Sequence, residues 1–127
     1  MRSIVLGTVL LTTLVLLLGG CSSKSPEELF NLAQQAENEE DFEKAIDFYT
    51  MLLRKYPQNE HNYKAQFMIG FIYSEELHDQ EKAKMAMQKV VDNYPDCDLA
   101  DDARWMLEHM GENLEEMEFT GEAMGGS

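Results

Sequence analysis

The chain has 127 residues, 24 of them acidic and 10 basic, for a formal charge of −14. A length of this order sets one small domain as the expectation. The acidity argues against nucleic acid as a natural ligand, because phosphate binding rests on clustered Lys and Arg, and against unaided adhesion to anionic lipid.

The amino-terminal stretch is read apart from the rest. Arg2 supplies a positive charge, and Ile4 to Leu18 form an apolar run of 15 residues. That is short of the roughly 18–20 residues that cross a bilayer core as a helix. The run ends in Leu18-Gly19-Gly20-Cys21, which resembles the lipobox of bacterial lipoproteins. The resemblance implies a signal peptide over 1–20, cleavage before Cys21, and a diacylglyceryl thioether on the Cys21 sulfur. It also implies an exported, lipid-anchored product. Ser22 rather than aspartate at the next position is compatible with outer-membrane delivery. Residues 21–25 would then be a short tether, holding the first helix within roughly 15 Å of the membrane at about 3.3–3.6 Å per residue. With Cys21 acylated, Cys97 has no partner for an intramolecular disulfide. Flanked by Asp96 and Asp98, it is a poor place for a thiolate nucleophile. A loop cysteine is the expectation, with a mixed disulfide as the alternative.

After the tether the pattern is helical throughout. Ser25-Pro26-Glu27-Glu28 reads as a serine N-cap, a proline at the first helical position and a capping-box glutamate. Five helices are expected, near 26–38, 41–56, 60–77, 79–94 and 98–110. Phe42, Ala45, Ile46, Tyr49, Leu52, Leu53 and Tyr56 make one stripe of 3.6-residue period, and Ala83, Ala86, Met87, Val90, Val91 and Tyr94 make another. Asp41 and Asp79 are placed as N-caps, Pro57 and Pro95 as stops, and Gly111 as the last stop. Beyond it, residues 112–127 hold five acids and no base around Leu114, Met117, Phe119 and Met124. That composition favours a disordered tail, with a short turn over 112–119 packing back on the last helix as the alternative.

The two stripes are copies. Glu43-Lys44-Ala45 and Tyr56-Pro57 return 38 residues later as Glu81-Lys82-Ala83 and Tyr94-Pro95, and Asp41, Ala65, Met68 and Ile69 have counterparts at the same offset in Asp79, Ala103, Met106 and Leu107. A fixed offset of this kind marks a repeat protein. In phase, Leu29, Leu32, Ala33, Ala36, Ala45, Tyr49, Leu52 and Pro57 resemble the tetratricopeptide-repeat consensus, as do Ile69, Gly70, Tyr73, Ala83, Met87, Val90 and Pro95. The resemblance covers 26–111 and implies an all-α fold, about two and a half helix-turn-helix units in a right-handed superhelix. Three extra residues after Tyr56-Pro57 and one between Tyr73 and Asp79 lengthen the unit. Long units ending in Tyr-Pro resemble those of BamD-like outer-membrane lipoproteins and of the YbgF-type cell-division coordinator, although this chain has about half the repeats usual in that group.

Signs of catalysis are lacking in the sequence. His61, His78 and His109 fall in different units without metal-type spacing, and acid pairs such as Glu39-Glu40, Asp101-Asp102 and Glu115-Glu116 diverge around a helix by about 100° per residue. No cofactor and no metal are expected. One constellation remains. The resemblance assigns Glu27, Phe30, Gln34 and Glu37 to the concave face of the first unit, Lys64, Phe67, Phe71 and Ser74 to the second, and Asp102, Trp105, His109 and Glu112 to the half unit. Phe30, Gln34, Lys64, Phe67, Phe71, Trp105 and His109 are therefore the candidate groove. Its aromatics at Phe30, Phe67 and Trp105 recur at one position of each unit and are not needed by the core stripe. Two other readings are open: these aromatics pack between successive first helices, or the tail fills the groove. The expected function is a non-enzymatic adaptor that binds a segment of another envelope protein, in outer-membrane protein assembly or envelope organisation. The alternative is a self-associating structural lipoprotein.

Overall fold

A computed structural model describes residues 23–110. Residues 1–22, which include the expected signal peptide and Cys21, and residues 111–127, which include Gly111, Glu112 and the acidic tail, lie outside the described residues. Five α-helices follow in order: α1 (Pro26–Asn38), α2 (Phe42–Lys55), α3 (Asn62–Phe71), α4 (Gln80–Asn93) and α5 (Ala100–His109). Among the described residues there is no strand, and no helix is long and apolar enough to cross a membrane.

The starts of α1, α2 and α4 are set by side chains at the expected positions. Glu28 N–H donates to Ser25 Oγ at 3.2 Å, while Ser25 N–H donates to the Glu28 carboxylate at 2.8 Å, a closed capping box. Asp41 accepts from Lys44 N–H at 3.3 Å, and Asp79 accepts from Lys82 N–H at 3.1 Å. Each aspartate follows a residue in the left-handed region, Glu40 at φ 58° and His78 at φ 51°. The repeat is therefore a repeat of backbone path as well as of letters.

Each helix packs on the next in chain order, and α1 scarcely touches α3. Alanines sit where helices approach: Ala33 and Ala36 on α1, Ala45 on α2, Ala65 on α3, Ala83 and Ala86 on α4, Ala100 and Ala103 on α5, all buried. Around them the first core gathers Leu29, Ile46, Tyr49, Leu52, Ile69 and Ile72. A second, smaller core holds Met87, Val90 and Ala103, with Phe67, Met106, Leu107 and Met110 half-buried against it. Burying a large aliphatic or aromatic side chain of this kind contributes about 1.5–3 kcal/mol. Gly70 allows α3 and α4 to close up, since a Cβ there would stand 2.9 Å from Met87 Cε.

Both insertions expected from the sequence take a definite form. The extra residue before Asp79 is accommodated by a π-helical turn, Ile72–Glu76, at the end of α3, where Leu77 N–H donates to the Ile72 carbonyl five residues back at 3.0 Å. The longer connection after Pro57 is two linked turns, Asn59 N–H to Tyr56 O and Asn62 N–H to Asn59 O. Buried Asn62 ties this loop down by donating Nδ2 to the Tyr56 carbonyl at 2.7 Å. The connection after Pro95 repeats the two turns through Cys97.

Candidate functional site

The residues expected on the concave face divide into separate places. Phe30 lies half-buried, edge-on to the Tyr49 ring with centroids 5.3 Å apart and planes at 67°. It faces a cleft of about 190 Å³ between α1 and α3. Pro26, Glu27, Phe30 and Asn31 form one wall, Asn59, His61 and Lys64 the other, and Leu52 of α2 the base. The cleft exists because α1 and α3 stand apart, and the loop inserted after Pro57 supplies Asn59 and His61 of its far wall. Of the expected residues it brings together Phe30, Glu27 and Lys64. Leu52, Asn59 and His61 were not anticipated; the three-residue lengthening after Pro57 was the signal that a wall would be built there.

Phe67 sits elsewhere. It packs on Met87, Val90 and Ala103 in the second core. Comparison with Phe30 explains why: in each of the first two units this aromatic covers the core presented by the following helix, Tyr49 in one and the Met87 cluster in the other. In the half unit the same position is Trp105, which is 56% exposed. Among the described residues no helix follows α5 to cover it. Its indole stacks on the His109 ring at 4.5 Å and 20°, and His109 Nδ1–H donates to the Trp105 carbonyl at 2.8 Å. That pair forms a second, separate apolar surface.

Phe71 lines a third hollow with Phe42 and the carboxylates of Glu37, Glu40 and Glu76. Glu37 is held there by Tyr49, whose hydroxyl donates to its carboxylate. Burial, then the Glu37 hydrogen bond, push the Tyr49 phenol far above its ordinary range, so it stays protonated. Gln34 and Asp102 are exposed, whereas Ser74 is buried within the π turn and donates to Glu75 at 2.9 Å. The aromatics therefore do not make one continuous exposed row. Among the described residues no three metal-type side chains cluster.

A family model described as a tetratricopeptide repeat matches residues 29–59 and again 64–96. No curated protein and no solved structure gave a match. Tetratricopeptide repeats mediate protein–protein contacts and are typically non-enzymatic scaffolds. The first match falls on α1 and α2 and the second on α3 and α4, over half of the chain in all, and the protein belongs to the tetratricopeptide-repeat family.

Proposed function

We propose that this protein is a lipid-anchored adaptor of the bacterial envelope, without enzymatic activity, that holds a segment of another envelope protein in the cleft between α1 and α3. The observation that carries the reading is the cleft itself. An apolar base at Leu52 beside the Phe30 ring, with Glu27, Lys64 and His61 on the walls, is the arrangement by which a groove seats an apolar anchor and fixes its polar neighbours. The lipobox-like Leu18-Gly19-Gly20-Cys21 supports the anchor, and the long units ending in Tyr-Pro support a role in outer-membrane protein assembly or envelope organisation.

A photoreactive residue at the exposed position 31, on the cleft wall, tests this in intact cells. Capture of one envelope protein, reduced by Lys64→Glu, is the expected result. Capture of nothing, or of many proteins alike, would remove the adaptor reading. For the anchor, Cys21→Ser should abolish fatty-acid labelling and leave an uncleaved precursor. A second reading, self-association, is favoured by exposed Trp105 on the uncovered face of α5. It requires a dimer in solution whose Trp105 fluorescence shifts to the blue on assembly.

A further inference from the structure

The other side of the molecule carries a groove unlike the rest of this acidic chain. It runs between α2 and α4, over part of α3, with a volume of about 470 Å³. Its floor is apolar, from Ile46, Leu53, Ile69 and Met85, and Met85 is 63% exposed, the most exposed large apolar side chain among the described residues. Arg54, Lys82 and Lys89 stand along it, and no acid lines it. Lys82 already answers Asp79 at 2.7 Å. Arg54 and Lys89 make no ion pair among the described residues. In a chain of charge −14, an apolar floor beneath three cations and no anion selects an acidic, amphipathic segment.

We infer that this groove is the seat of the chain's own segment Glu112–Phe119. Four acids, Glu112, Glu115, Glu116 and Glu118, alternate there with Leu114, Met117 and Phe119, so charge and apolarity both match the groove. The reach is sufficient. Met110 packs on the core that includes Met87, while the groove's Ala86 and Met85 lie on the same helix one and two residues away. A helix is about 10–12 Å across, and the seven residues 111–117 span up to about 23–25 Å. Covalent linkage also gives the segment a local concentration in the millimolar range, which a free acidic peptide must exceed to displace it. The face of α5 beside Trp105 offers a poorer seat, because Asp102 and Glu108 charge that helix negatively and its Arg104 is already paired with Asp101 at 2.6 Å.

The test uses the full chain with a photoreactive residue at position 85, where exposure makes the fold indifferent to it, and at position 105 in a second variant. From position 85 the product should be intramolecular, monomer-sized, and joined to residues 112–119. Arg54→Glu with Lys89→Glu should cut its yield about fivefold, the ratio expected of two exposed charge contacts, and adding Glu115→Lys with Glu116→Lys should restore it. Capture of the segment from position 105 but not 85 would overturn the inference. So would a dimer-sized product, attachment to another protein, or a yield indifferent to both charge reversals.

Discussion

The first repeat unit and the second share the aspartate cap of their second helix, the left-handed residue before it and the turns after it, yet their interiors differ in kind. In the first, Phe30 meets the Tyr49 ring edge-on, and the Tyr49 hydroxyl is tied to Glu37. Thirty-eight residues on, the equivalent of Tyr49 is Met87, which offers no hydroxyl and packs with Val90 and Ala103 in the smaller core. Around that core stand Met106, Leu107 and Met110, only half-buried. The first unit packs on the second through α2, while Trp105 on the last described helix is left exposed. A repeat thus transmits its turns faithfully, but each unit's interior depends on what lies next to it.

The largest expected effect tests whether the two interiors stand or fall together. Ala45→Asp and Ala83→Asp each place a carboxylate at a position with no exposed surface, which costs several kcal/mol and unfolds so small a domain. Circular dichroism should show loss of helix in both; a variant that melts like the parent would show that its unit does not close over that alanine. Next comes Phe67 against Trp105. The resemblance placed both on a free face, so both truncations were expected to cost less stability than Ile69→Ala or Leu107→Ala. With Phe67 packed on the second core, Phe67→Ala should cost about 2 kcal/mol, while Trp105→Ala should stay within about 0.5 kcal/mol and act on partner capture or self-association instead. Denaturant melts of the two variants decide this, and equal losses would mean that Trp105 is covered in solution.

A smaller effect probes what the first unit has and the second lacks. Tyr49→Phe should cost about 1 kcal/mol at neutral pH by removing the hydrogen bond to Glu37. Because the folded-state pKa of Tyr49 is raised, its contribution is complete below the ordinary phenol value near about pH 10. It is lost as pH climbs past that value, at about 1.4 kcal/mol per pH unit. Unfolding followed from pH 9 to 11.5 should therefore show a steeper loss in the parent than in Tyr49→Phe. The difference between the two isolates this phenol from Tyr63 and Tyr94, which are raised as well.

The smallest effect is at Gly70. Replacing a mid-helix glycine by alanine favours the helix by about 1 kcal/mol, but the added carbon meets Met87 at 2.9 Å. Gly70→Ala alone should fall within about 0.5 kcal/mol of the parent. In a Met87→Ala background the full gain should return, a coupling near 1 kcal/mol in the double-mutant cycle. Strict additivity would show that the thioether yields freely.

What the sequence made legible was whatever local chemistry decides. Ser25, Asp41 and Asp79 announce helix starts because their oxygens can reach amides left unpaired at a first turn. Pro57 and Pro95 announce stops, and the alanine and aromatic spacing announces the buried faces. The extra residue before Asp79 could be counted, but its form as a π turn could not, since that depends on which carbonyl the helix finds when α4 is already placed. The same limit governs the candidate site. Phe30 and Phe67 were assigned a free face by position alone, and whether such a face is free depends on how far α1 stands from α3 and on what the following helix presents. The cleft wall from Asn59 and His61, and the cationic groove between α2 and α4, join residues distant in sequence, so no single stretch carried their signature.

The π turn at Ile72–Glu76 has a bearing on how such a chain can change length. An added residue in an α-helix swings everything beyond it by about 100°, which would carry the following cap and stripe out of line. Here the widened loop takes up the surplus, so His78 and Asp79 arrive in the conformation of Glu40 and Asp41. Growth or shrinkage by one residue is thus absorbed inside a helix, at a joint that leaves both flanking surfaces in phase. Excising one residue there should yield a plain α-helical end and an intact fold, whereas the same excision in α4 would turn Met87 and Val90 toward solvent.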